Sequence, residues 1–252
     1  MDALDLHRAL CLAMLGLAAL TFAALLLVPA PYGRHARAGW GPAIPARLGW
    51  ILMESPAVVW FAAVYLAGRH RGEAAPLALL GLWMAHYLHR TLVFPFRMAA
   101  AGKPMPVPIA AMAFGFNLLN GWINARWISD LGAYPGGWLT DPRFLGGAAL
   151  FALGLAVNVR SDSILFRLRE PGQSGYRIPR GFLFERVTSP NYLGEIVEWI
   201  GWAVATWSLP GLAFAAYTFA NLAPRALAHH RWYRSRFPDY PAGRKALIPF
   251  VF

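Results

Sequence analysis

A chain of 252 residues that is 58% hydrophobic and 14% charged, with a mean hydropathy of +0.42, is too apolar for a water-soluble domain of that size. Its 23 lysines and arginines against 12 aspartates and glutamates give a net charge of +11, but these cations lie between apolar runs, so they read as a membrane topology signal and not as a nucleic-acid surface. The one cysteine, Cys11, excludes an internal disulfide and any cysteine-based metal site.

Ala9 to Val28 is a run of 20 uncharged residues, and at about 1.5 Å per residue it crosses a hydrocarbon core of about 30 Å. Its flank carries Asp2 and Asp5 in place of the basic start of a cleaved leader, so the run is read as a span. Leu48 to Gly68, Ala74 to Phe96, Val107 to Ala125, Phe144 to Val159, Tyr192 to Leu209 and Pro210 to Tyr233 follow. Leu209-Pro210-Gly211 is a helix stop and start with no room for a long loop. The expectation is an all-α polytopic membrane protein, one domain over residues 1–252, with seven transmembrane helices and cytoplasmic loops over a cofactor pocket.

Loops one, three and five and the tail hold sixteen lysines and arginines, and the other side holds five: Arg8, Arg69, Arg71, Arg126 and Arg143. The positive-inside rule then puts the amino terminus outside and the carboxy terminus in the cytoplasm, with Arg90 and Arg225 inside spans.

Charged groups inside a span cost several kcal/mol against lipid and therefore face a bundle interior or a cavity. Glu54 stands in the second span and is expected deeper than the other polar groups, near the outer half. Tyr87 and Arg90 are three apart in the third. Asn158, Asp162 and Arg169 share a helical stripe, as do Asn191, Glu195 and Glu198, and as do Arg225, His229 and Tyr233. Each has a plainer reading, an acid paired for packing or a histidine anchored at the interface. His86-x-x-His89 lacks a carboxylate or cysteine partner, so no metal is expected. Arginines 169, 177, 225 and 244 suit phosphates, Asn158, Asn191, Asp162 and Glu195 suit amides and hydroxyls, and Tyr176 and Tyr233 offer ring faces; this mixture suits a dinucleotide. With no G-x-G-x-x-G and no P-loop in the chain, such a nucleotide would sit among helices.

At these residues the sequence resembles the steroid 5α-reductase family: Met53-Glu54-Ser55-Pro56, His86-Tyr87-Leu88-His89-Arg90-Thr91, Asn158 to Asp162, Tyr176-Arg177-Ile178-Pro179, Asn191 to Glu195, Arg225 with His229 to Tyr233, and Lys245 to Phe250. The resemblance implies a multi-pass membrane enzyme, of a bacterial inner membrane or the endoplasmic reticulum, that uses NADPH to reduce the 4,5 double bond of a 3-oxo-Δ4 steroid taken from lipid, as a monomer. It implies that Glu54 and Tyr87 hold the 3-keto oxygen, and that Asn158, Asp162, Arg169, Tyr176, Arg177, Asn191, Glu195, Arg225, His229, Tyr233 and Arg244 hold NADPH. The family has Gln before that glutamate, and Met53 stands there in the substrate site, a departure that bears on substrate preference. An enoyl-CoA, polyprenal or sterol double-bond reductase of the same superfamily, an isoprenylcysteine-type methyltransferase and a non-enzymatic sterol transporter or receptor are the alternatives.

Overall fold

A computed structural model describes residues 2–31, 33–35, 37, 39–98, 104–168 and 175–252. The apolar runs form helices: α1 (Ala3–Leu27), α2 (Ala46–Leu66), α3 (Ala74–Leu88), α4 (Phe94–Arg97), α5 (Val107–Arg126), α6 (Pro142–Arg167), α7 (Pro190–Thr206) and α8 (Leu209–Arg236). A π turn, His89–Val93, joins α3 to α4, so the described residues contain seven helical rods at the expected places. Three of these, Ala3–Leu27, Ala46–Leu66 and Pro142–Arg167, are long and apolar enough to cross a membrane by length and composition. Leu20 of α1 is 70% exposed and Leu27 82%, a surface that suits lipid and would be costly in water.

Local chemistry sets the ends. Asp2 caps α1, its Oδ1 accepting from the Asp5 N–H at 2.7 Å, so this helix begins six residues before the uncharged run. Trp207 takes a left-handed conformation after α7, and the Ser208 Oγ accepts from the Gly211 N–H at 3.1 Å to start α8. The π turn follows from Pro95: its ring excludes the ordinary bond to Thr91, and the preceding Phe94 N–H reaches back five residues to the His89 carbonyl.

The helices meet around Trp83, fully buried among Phe61, Tyr87, Trp199, Trp202 and Phe214, with its indole N–H donating to the Ala57 carbonyl at 2.8 Å. The closest approach is α6 on α7. A Cβ at Gly154 would collide with the Glu198 and Gly194 backbone, and one at Gly194 would meet the Asn158 N, so these backbones pack with nothing between them. That contact sets the polar ends of α6 and α7 side by side.

The connections collect on two faces. On one, β1 (Ala43–Pro45) of loop one pairs antiparallel with β2 (Pro104–Pro106) of loop three, the Arg97 guanidinium donates to Ser163 Oγ at 3.0 Å, and Val187 before α7 pairs with Lys245 of the tail. On the other, Arg69 binds Asp130 at 2.8 Å and the His70 N–H donates to the Ser129 carbonyl at 2.7 Å. The loops whose cations number sixteen thus share one end of the bundle.

Candidate functional site

Arg90 lies in the π turn and reaches two acids on different helices, Asp162 of α6 at 3.5 Å and Glu195 of α7 at 3.8 Å, while its guanidinium covers the rings of Trp50 and Phe94 at 4.8 and 4.4 Å. Two asparagines lace the acids together: the Asn158 amide donates to the Asn191 carbonyl at 3.0 Å and to Glu195 Oε2 at 3.4 Å, and the Asn191 amide donates to Asp162 Oδ1 at 3.0 Å. Four residues expected to act together, Asn158, Asp162, Asn191 and Glu195, are therefore one network.

Glu54 lies in the loop-one half of α2, which the expected topology makes the cytoplasmic half and not the outer one. It is the ninth residue of α2, counted from the loop-one end. The early position in a helix that starts on that face gives the reason. Its Oε2 accepts from the Asn117 amide of α5 at 3.2 Å, and the same nitrogen donates to the Met53 carbonyl at 2.7 Å. The Met53 side chain packs in an apolar cluster with Met105 and Ala110, so it brings no polar group to Glu54. Tyr87 is 4% exposed, its ring against Trp83, His86 and Trp199.

Glu198 leaves the stripe of Asn191 and Glu195 for another partner: its Oε1 lies 2.8 Å from His86 Nδ1, both groups buried and packed at Trp199. A second buried chain runs from the Trp202 indole N–H to Asn124 Oδ1 at 2.9 Å and from the Asn124 amide to Asn120 Oδ1 at 2.9 Å.

Toward the loops, Arg225 covers the Tyr192 ring at 5.2 Å, Tyr192 meets His229 at 5.5 Å, and His229 stacks on His35 of loop one at 5.5 Å. Burial, together with Arg34 and Arg225 nearby, holds the His35 imidazole below its ordinary pKa and therefore neutral at pH 7. Arg34 sits over Tyr176, Trp232 and Tyr233 at 5.2, 5.1 and 4.7 Å, and the Tyr233 hydroxyl donates to the Arg177 carbonyl at 3.4 Å. Arg169 lies outside the described residues. Arg244 of the tail is 2% exposed, over the Tyr240 ring at 5.0 Å, and none of its three guanidinium nitrogens has a hydrogen-bond partner. Arg34 Nη1 and His35 Nε2 are likewise buried without a partner. A buried cation without an anion is costly by itself, so donors of this kind fit a ligand carrying several phosphates.

Asn117, Arg34, His35 and the His86–Glu198 pairing have no local sequence signal. The i, i+4 spacing found the members of each stripe and could not say which stripes face each other. Among the described residues no group of three or more histidines, cysteines or acids is placed to hold a metal ion.

Residues 103–252 match the family described as 3-oxo-5-alpha-steroid 4-dehydrogenase. The chain is 47% identical over 248 residues to a steroid 5-alpha-reductase of Gossypium hirsutum, covering 96% of each chain. It is 45% identical over 234 residues to 3-oxo-5-alpha-steroid 4-dehydrogenase 1 of Bos taurus, covering 90% of each, and 46% identical over 223 residues to the Homo sapiens protein of that name, covering 88% of this chain and 86% of that one.

Proposed function

Because the chain belongs to the steroid 5α-reductase family, an oxidoreductase family, we propose that it is an NADPH-dependent membrane enzyme that saturates the 4,5 double bond of 3-oxo-Δ4 steroids. Family membership sets aside the methyltransferase, transporter and receptor readings. The observation that carries the proposal is the set of buried guanidinium and imidazole nitrogens without partners toward the loops, with Glu54 held by Asn117 and Tyr87 buried against Trp83 and Trp199.

NADPH, when bound, supplies the hydride. Arg244, Arg34 and His35 offer donors for its phosphates, with Arg169, Arg177 and Arg225 from loop five and α8, and Tyr176, Tyr233 and His229 give ring faces for its flat groups. Asn158, Asp162, Asn191 and Glu195 would hold its amide and hydroxyl groups. Hydride arrival at C5 moves the C4–C5 π pair toward the 3-keto oxygen, where negative charge develops. Tyr87 donates its hydroxyl proton in a hydrogen bond to that oxygen, and Glu54 in its protonated form adds a second donor, so the pair stabilises the enolate that then takes a proton at C4. The aromatic wall of Trp83, Trp199 and Phe214 keeps water from the transfer. The steroid enters from lipid, and the enzyme works as a monomer.

Purified protein in detergent is expected to oxidise NADPH with testosterone or progesterone and to show little turnover with NADH or with a long-chain enoyl-CoA. Turnover confined to the enoyl-CoA, or equal use of NADH, would overturn the substrate or the phosphate reading respectively.

Seven crossings with the amino terminus outside and the carboxy terminus cytoplasmic, in a bacterial inner membrane or the endoplasmic reticulum, complete the proposal. Loops one, three and five and the tail meet on one face with most of the cations, which supports it. In a Cys11→Ser background, Arg180→Cys is expected to react with an impermeant thiol reagent only from the cytoplasmic side and Arg71→Cys only from the other. The reverse pattern would invert the topology.

A further inference from the structure

We infer that Asn117 is a positioning residue for the reaction: its side-chain amide binds one oxygen of the Glu54 carboxyl and thereby fixes which oxygen is left for the substrate. The inference rests on the reading of Glu54 as a donor to the 3-keto oxygen. Asn117 is 5% exposed on α5, and its Nδ2 lies 2.7 Å from the Met53 carbonyl and 3.2 Å from Glu54 Oε2. The Met53 carbonyl can only accept, so the amide must present its nitrogen there and not its oxygen. That nitrogen has a second hydrogen, and it goes to the carboxyl of the next residue.

The consequence for Glu54 is specific. An amide N–H only donates, so Oε2 acts as acceptor, the role that suits the carbonyl oxygen best, and this favours placing a proton carried by the carboxyl on Oε1. A carboxyl free to rotate would present either oxygen, half the time with its proton turned toward the protein. The local helix also makes the geometry available: Pro56 has no N–H for the Leu52 carbonyl, and the Ser55 hydroxyl takes that acceptor at 2.9 Å, in the same turn of α2 as Glu54. Met53 cannot serve in place of Asn117, because its thioether is packed against Met105 and Ala110 and lacks a strong donor.

The test is a double-mutant cycle between Asn117→Leu and Glu54→Ala, with kcat, steroid KM and NADPH affinity measured for each protein in detergent. Asn117→Leu alone is expected to lower kcat roughly 10–100-fold, the loss of one hydrogen bond to a charged or proton-bearing carboxyl, with NADPH affinity unchanged. In the Glu54→Ala background the same substitution is expected to add nothing, since no carboxyl remains to be oriented. Asn117→Asp keeps the shape and replaces the donor with an acceptor; it is expected to follow Asn117→Leu in both backgrounds and guards against a packing defect of leucine. Retained NADPH affinity reports that each variant is folded. Equal losses with and without Glu54 would make Asn117 a plain tie between α2 and α5 and would overturn the inference. Near-normal turnover of Glu54→Ala by itself would overturn the underlying reading of Glu54, a result distinct from the first.

Discussion

Tyr87→Phe and Glu54→Ala are each expected to lower steroid turnover by about 100–1000-fold, the usual loss when one donor to a developing oxyanion is removed. Phenylalanine keeps the ring that packs on Trp83, His86 and Trp199 and removes the hydroxyl alone, so the fold should hold and the loss should appear in kcat. NADPH affinity should change little, because the groups assigned to phosphate lie in loop one, loop five, α8 and the tail, apart from α2 and α3. Glu54→Gln separates two roles of the acid. Its amide oxygen can still accept from Asn117 and its amide nitrogen can still donate to substrate, so activity well above that of Glu54→Ala means that donation suffices. Equal loss in the two means that the carboxyl proton itself is needed. Steady-state kinetics with testosterone decide, and near-normal reduction by the Glu54→Ala, Tyr87→Phe double variant would refute the assignment of both residues.

Arg244→Met is expected to act in opposite directions on the protein with and without cofactor. The Arg244 guanidinium is buried with no hydrogen-bond partner for its three nitrogens, and an uncompensated buried charge costs several kcal/mol. Methionine fills the space of the stem without the charge, so the cofactor-free variant should melt higher than the parent, by about 2–4 °C for each kcal/mol gained in a chain of this size. With NADPH the sign reverses. The charged hydrogen bonds to phosphate are lost, which weakens binding roughly 10–100-fold and shrinks the stabilisation that ligand confers. Thermal melts in detergent across an NADPH titration measure both effects. An unchanged NADPH affinity would remove Arg244 from the phosphate site, and a lowered melting temperature without cofactor would show that Tyr240 and the surrounding tail already compensate the charge.

The helical rods, the grouping of the cations in alternate loops and the residue stripes of the polar centre were legible in the amino-acid sequence. These are local matters: an uncharged run fixes a helix by its length, and spacing by three or four fixes a stripe, whereas the start of α1 at Asp2 and the π turn before Pro95 emerged only in the structure. Which stripes meet was not legible there, because it depends on how the helices pack. Glu198 stands on the same face as Asn191 and Glu195 in any helical reading, yet it binds His86, 112 positions away, while Glu54 binds Asn117 across 63. Those pairings depend on how far each helix is rotated and how closely it approaches its neighbour, set for α6 and α7 by backbone contact at Gly154 and Gly194 and for α3 by the register change at the π turn. The burial of Arg244 has the same origin, because it comes from the pairing of the tail with Val187. Periodicity reports which side of a helix avoids lipid or water; it carries no information on the partner across the gap, since that choice is made by shape and by hydrogen bonds between segments far apart in the chain.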